Sequence, residues 1–561
     1  MILNLHHNMN IRTICTAFAI GCYISSFACT NLIVGKKASK DGSVLTTYAD
    51  DSHSRFGYLH SSPAADHQPG TMRKVINWGN NKYMGEIPQV AHTYNVIGNM
   101  NENQVVIGET TWGGHEELED TTGNSILDYG SLIYITLERA KSAPEAIDIM
   151  TDLVDKYGYA SSGESFTIAD KNEVWIMEMI GKGAEKGANW IAVRIPDEAI
   201  SGHANEPRIR KVNYQDKENV RYSKDLFDFA RKRGYFEGKD EDFSFADTFD
   251  NHNPSTRRSC DSRVWSFFRR YASPEEDSQW FAWVNGDSDE PMPLYIIPDK
   301  KLGVEDLQER MRDHFEDTPY SMTEDIGAGP NKVPYRWRPA TYEVDGQKYT
   351  HERAIATQQT AWSYVSQSRD WLPDPIGGIL WFGTDDANTS VYMPFYCSMN
   401  EAPYEVRVGN GNMNNFSLDS NFWVNNWVAN QAYNRYNLMI PDIRKIQGRL
   451  ESKYLQEQPC KDQEMLSLYE AGQGDEMQSA INEHGEKIAK EATDSYRDLA
   501  QYLLVRYMDG NIKPTDENGN FMENEDGFPL APAFGGYDPM YYETIARSKA
   551  GERLRVRENR K

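Results

Sequence analysis

A chain of 561 residues with 84 acidic and 59 basic side chains, formal charge -25 at pH 7, is ill suited to nucleic acid. Phosphate binding needs clustered Lys and Arg, and the acidic surplus reads instead as a solvated, self-repelling surface. Hydrophobic residues at 39% and aromatics at 12%, with 32 Tyr and 13 Trp, exclude a disordered acidic polymer and supply a sizeable core.

Residues 1–28 read as a targeting segment. The first twelve residues are polar, residues 13–27 ("TICTAFAIGCYISSF") are mostly apolar, and Ser26 and Ala28 place small residues where a signal peptidase reads. The apolar run is shorter than the roughly 20 residues a membrane span needs, and no later stretch qualifies. The expectation is a signal peptide over 1–28 and a secreted or periplasmic product.

From Cys29 to about residue 210 the pattern is rich in strands. "TNLIVGKK" and "SVLTTYAD" are apolar runs on either side of "ASKDG", whose Asp-Gly is a strong hairpin turn. Residues 131–158 carry apolar side chains at three- and four-residue spacing and predict two helices broken near Ser142-Ala143-Pro144. "VWIMEMI" and "WIAVRI" flank "GKGAEKGAN" and predict a second hairpin. Its GxG is no dinucleotide fingerprint, because a strand follows where a helix should.

Residues 215–345 are charged and aromatic with several Pro. They read as loop-rich apart from a helical stretch near 222–233. Strands resume within 351–369 and 377–396, and residues 422–508 are helical in pattern. The Trp-bearing segment 421–436 is a packed helix by its spacing rather than a sugar-stacking surface. The tail beyond Gly510 is polar and surface-lying. No internal repeat or long linker appears, so the expectation is one α+β body with a helical C-terminal part.

Six cysteines are too few and too scattered for a disulfide framework. Cys15 and Cys22 leave with the leader, and one pair among Cys260, Cys397 and Cys460 stays open. Cys29 follows the expected cut directly. Cleavage there places a thiol and a free α-amine on one residue, with unperturbed pKa values of about 8.5 and about 7.7 to 8.0. An amine can then serve its own side chain as base, which makes a nucleophile without histidine. A lipid anchor at Cys29 is the competing reading, although Ser26 stands where that signal places an aliphatic residue.

The residues after Cys29 narrow the choice. "CTNLIVGKKASKDGSVLTTYADDSH" resembles the start of the secreted cysteine dipeptidases of the N-terminal-nucleophile (Ntn) hydrolase superfamily. Four further blocks agree in order: "YNVIGNMNENQVVIGETTWGG", "IADKNEVWIMEMIGKG", "NWIAVRIPDEAISGHANEPRI" and "RRSCDSRVW". The resemblance covers residues 29 to 450. It implies a four-layer αββα Ntn-hydrolase sandwich over 29–420, with 421–561 as a helical C-terminal region and tail. It implies Cys29 as nucleophile and Asp51 beside it, where a solvated turn-end acid is the alternative. Asn205 would supply an amide to the oxyanion hole, or simply cap a turn before Pro207. Arg263 is the best match for a supporting arginine, with Arg257 and Arg258 nearby. Tyr48 stands where the wider cysteine branch has an arginine, so lowering of the thiol pKa by a guanidinium is in question.

A dipeptidase must also recognise a free α-ammonium, and Glu109 and Asp51 are the carboxylates available. Surface placement is the alternative for Glu109. No metal or organic cofactor is expected: HExxH is absent, and His53, His60 and His67 lack ligand spacing. GxSxG and Walker loops are absent too. The expected partners are dipeptides or short peptides, with no nucleic acid and no membrane span, and a homo-oligomer is left open. The alternatives are an N-acyl amide hydrolase of the bile-salt or penicillin amidase type and a surface lipoprotein anchored at Cys29.

Overall fold

The computed structural model describes residues 29–250 and 252–557; the leader read over 1–28 lies outside them. Asn31–Val34 (β1) and Val44–Asp51 (β2) form the expected hairpin, with Ile33 opposite Thr46 and Val34 opposite Leu45. Asp41 Oδ1 accepts from the Ser43 N–H, and Gly42 takes φ 89°, a left-handed geometry that glycine adopts at no steric cost. Every residue of both strands is buried. Coverage on both faces is why they read as unbroken apolar runs rather than as an alternation.

Val106–Trp112 (β3) follows, then helices Tyr129–Leu137 (α1) and Ala143–Tyr157 (α2). The break between them is chemical: Ser142 caps α2 by accepting from the Glu145 N–H, and Pro144 sits in its first turn. Gly163–Ala169 (β4), Val174–Lys182 (β5), Glu185–Ile195 (β6) and Ile200–His203 (β7) come next, with β5 and β6 the second expected hairpin. Alternation along β5 sorts its side chains. Trp175, Met177 and Met179 join the core under α2, while Val174, Ile176 and Ile180 join a separate one.

The middle of the chain departs from the loop-rich expectation. Besides Leu226–Arg233 (α3) it contains Phe245–Phe249 (α4), Pro254–Ser259 (α5), Asp261–Phe268 (α6), Pro274–Asn285 (α7) and Val304–Arg310 (α8). Apart from α7, these helices run five to eight residues, shorter than the about 11 or more over which an apolar periodicity is read. Pro254 and Pro274, which read as loop markers, occupy first helical turns behind capping Asn253 and Ser273.

Thr360–Ser368 (β8), Gly378–Thr384 (β9) and Met393–Tyr396 (β10) complete the first sheet. Its order is 295–296, β7, β1, β2, β8, β9, β10, and every pairing is antiparallel. The second sheet runs 220–222, β6, β5, β4, β3 and then three two-residue strands at 100–101, 96–97 and 61–62. The sheets lie face to face: Asn31 Nδ2 on β1 donates to Glu109 O on β3 at 2.7 Å. Gly108 allows this approach, since a Cβ there would collide with Asn31 Oδ1. Helices α1 and α2 cover the second sheet. The first is covered by α6 and by Asn421–Ala432 (α9), Tyr436–Glu470 (α10) and Gly474–Arg506 (α11), whose apolar faces share its core. The architecture is a four-layer αββα sandwich, an α+β fold with a helical C-terminal part.

Residues 511–557 lie mostly exposed. Cys29, Cys260, Cys397 and Cys460 are all free thiols, so the pair left open among the last three does not form. Among the described residues no helix is long and apolar enough to cross a membrane.

Candidate active site

Cys29 enters the sandwich at the head of β1, where Thr30 bridges to Ala49 of β2. Its side chain is 1% exposed. The thiol points at Glu109 Oε1 at 3.5 Å, with the Tyr48 hydroxyl at 3.9 Å, and accepts from the backbone N–H of Asp51. Tyr48 donates to the same Glu109 oxygen at 2.7 Å. The position expected to carry arginine therefore carries a phenol that holds a carboxylate, and the cations come from elsewhere.

One of them is Arg263. From α6 its Nη1 donates to Cys29 O at 2.7 Å and Thr30 Oγ1 at 2.8 Å. Its Nη2 donates to Ala204 O at 3.1 Å and Asn205 Oδ1 at 2.8 Å, and Nε donates to Ser259 O. A planar fork with five donors suits this multiple grip. Asn205 lies just past β7 with φ 57°, a conformation asparagine tolerates better than most residues, and Nδ2 donates to Thr111 O at 2.6 Å. Its tie to Arg263 was not foreseen.

Asp51 is fully buried, not a solvated turn-end acid. It pairs with Arg353 at 2.6 Å and accepts from Thr360 Oγ1 at 2.6 Å. Burial still pushes its carboxyl up to about 6, against the pull of Arg353. Asp50 beside it is pushed up to about 7, again by burial, with Arg55 at 3.4 Å opposing. Glu109 is likewise buried rather than at the surface, and burial raises its pKa. It lies against Glu164, whose pKa is raised well above the carboxylate range by burial and then by the charge of Glu109. Thr111 Oγ1 donates to Glu164 at 2.7 Å. The Cys29 thiol is itself raised, first by burial and then by Glu109, Asp50 and Asp51. In this acid-rich pocket the thiol stays protonated unless a cation or a base is brought to it.

Tyr48, Asp51, Glu109, Asn205 and Arg263 thus gather with Cys29 in one network. A cavity of about 630 Å³ opens beside it, walled by Asn205, Arg263, Arg338, Arg353, Thr111 and Gly114. That is ample for a dipeptide-sized ligand. Asp50, Glu164, Arg55 and Arg353 were missed in sequence. Asp50 was legible as half of an acidic pair, whereas Arg353, 302 residues from its partner Asp51, left no local sign. A second group of ligand-type side chains, Glu206, Asp250 and His252, converges next to Asn205.

The sequence model of Peptidase family C69 matches residues 28–63 and 57–449. The chain belongs to Peptidase family C69. It is a cysteine-type peptidase, and the match coincides with the stretch that resembled Ntn cysteine hydrolases. Curated relatives include a probable dipeptidase of Latilactobacillus sakei, 26% identical over 398 residues, spanning 68% of this chain and 76% of that one. A probable dipeptidase of Salmonella dublin is 25% identical, with 66% and 81% covered. Dipeptidase A of Lactobacillus helveticus is 24% identical, with 76% and 85% covered. Among solved structures, penicillin V acylase from Agrobacterium tumefaciens aligns with this C69 chain at TM-score 0.28 and 10% identity, covering 66% of this chain and 86% of its own.

Proposed function

We propose that this C69 peptidase is a secreted or periplasmic dipeptidase whose nucleophile is Cys29, freed by removal of residues 1–28. The observation that carries the reading is the thiol's setting: buried at the head of a central strand, against Glu109, with its own carbonyl held by Arg263. The relatives named dipeptidases support the substrate class.

Leader removal turns the Cys29 amide into an amine beside a thiol that burial and three carboxylates keep protonated. The amine takes the Sγ proton and becomes the missing cation. Sγ then bonds to the peptide carbonyl carbon, and the carbonyl oxygen gains the charge. Asn205 Nδ2 and a backbone N–H stabilise that oxyanion. The ammonium returns its proton to the leaving nitrogen as the C–N bond breaks, and water hydrolyses the thioester. Acidic groups around the thiol, Glu109 first, favour a substrate with a free α-ammonium.

The test combines the intact mass of the mature N-terminus with a panel of dipeptides, N-acetyl dipeptides and N-acyl amides. A free Cys29, cleavage of dipeptides, loss on N-acetylation and no turnover by Cys29→Ala are expected. A lipid-modified Cys29, equal turnover of blocked substrates, or an active Cys29→Ala enzyme overturns the reading.

A further inference from the structure

Beside the cavity, whose wall includes Gly114, three side chains from two segments converge. Glu206 comes from the turn after β7, and Asp250 and His252 come from the connection between α4 and α5. One ligand-type atom from each lies within 4.8 Å of the others. His252 Nδ1 is 2.7 Å from Glu206 Oε1 and 3.8 Å from Asp250 Oδ2.

Two of these groups are buried and incompletely satisfied. Glu206 is 1% exposed, and its Oε2 has no hydrogen-bond partner among the described residues. The His252 side chain is 7% exposed, and its Nε2 likewise has none. Leaving a buried carboxylate oxygen unmatched is costly unless something else joins the group. The remaining lone pairs and protons are held as in a metal site. Thr256 Oγ1 donates to Glu206 Oε1 at 3.1 Å, and the Gly114 N–H donates to Asp250 Oδ1 at 3.1 Å, leaving Oδ2 toward His252. Asp247 Oδ1 stands 4.0 Å from His252 Nε2, the ring nitrogen opposite the ligating one.

We propose that Glu206, Asp250 and His252 bind a zinc ion, with a fourth position for water. One imidazole and two carboxylates suit zinc better than calcium, which takes oxygen ligands. Tetrahedral zinc needs ligand atoms about 3.3 Å apart, so separations of 2.7 and 3.8 Å require only small adjustments. The ion would clip the Asn205–Glu206 turn to the segment entering α5, and α5 leads straight into the helix that carries Arg263. Its role is to fix the cavity wall; no step at the thiol runs through it. The assignment contradicts the metal-free expectation from sequence, which looked for ligands close together in the chain.

The test uses the Cys29→Ala chain, so that the active-site thiol cannot compete for zinc. After stripping with chelator, the protein is titrated with zinc, and separately with manganese, by calorimetry. Bound metal is counted by mass spectrometry after desalting. One zinc per chain is expected, bound tighter than manganese, with a zinc-dependent rise in melting temperature. His252→Ala, and separately the isosteric Glu206→Gln, should weaken zinc binding by about tenfold or more and abolish that rise. No stoichiometric binding overturns the proposal. So does equal binding by parent and variants, which would put the zinc elsewhere, for instance on the exposed Cys460 thiol. If His252→Ala does not fold, Glu206→Gln decides alone.

Discussion

Two buried regions of this protein handle charge in opposite ways. Where α10 meets the first sheet, two buried carboxylates, Asp462 and Glu451, each have their own arginine. Asp462 on α10 pairs with Arg369 at 2.5 Å and also accepts from Tyr396 and Gln458. Glu451 pairs with Arg312 at 2.5 Å and accepts from the Tyr392 N–H. Between the sheets, Glu109 and Glu164 share one place and are held by the hydroxyls of Tyr48 and Thr111. Fully matched charges lock helices to a sheet. Charges left short of a partner hold shifted pKa values, which is how reactive sites are built.

Removing one partner from the matched region is expected to have the largest effect on stability. Arg369→Met leaves Asp462 buried without its cation and should cost roughly 3 to 5 kcal/mol in chemical denaturation. Arg369→Met with Asp462→Leu should recover most of that. A loss below about 1 kcal/mol for the single variant would erase the contrast between the regions.

The reactive region should answer in rate as well as in stability. Asn205→Gly keeps the left-handed backbone and removes the amide, so kcat/KM for a dipeptide should fall by about a hundredfold. Its unfolding free energy should fall by about 1 to 3 kcal/mol, because Arg263 and the Thr111 carbonyl each lose a partner. A stability loss with kcat/KM unchanged would make Asn205 a structural residue only.

A third effect is one of pH. Asp50 has a folded pKa of about 7, raised by burial above its unfolded value of about 3.9. Between those values the folded protein holds a proton that the unfolded chain releases, so this group's contribution to stability falls as pH rises from about 4 to about 7. Asp50→Asn removes that dependence. Its melting temperature relative to wild type should climb from pH 4 to pH 7.5, and a gap that stays constant would contradict the shift.

Much of the fold was legible because both hairpins and the α1–α2 pair rest on contacts within some twenty residues, with Asp-Gly and Ser-x-Pro marking their ends. The helices α4 to α8 were not, because each is short and its prolines stand at starts rather than breaks. Within the site, Tyr48, Asp51 and Glu109 were marked by their neighbours on strands. Their burial was not, because a strand covered on both faces and a solvated one can both end in Asp.

Sequence alone determined that Cys29 heads a strand after a leader-like segment, that Asp51, Asn205 and Arg263 stand in blocks shared with a peptidase family, and that long helices close the chain. Those features are local patterns or residue identities. Tertiary structure alone decided that Arg263 grips the Cys29 carbonyl, that Arg353 meets Asp51, and that Glu206 meets His252. Such pairings depend on how two twisted sheets and their covering helices stack. Burial then fixes the protonation of each group, which no count of residues along the chain can supply.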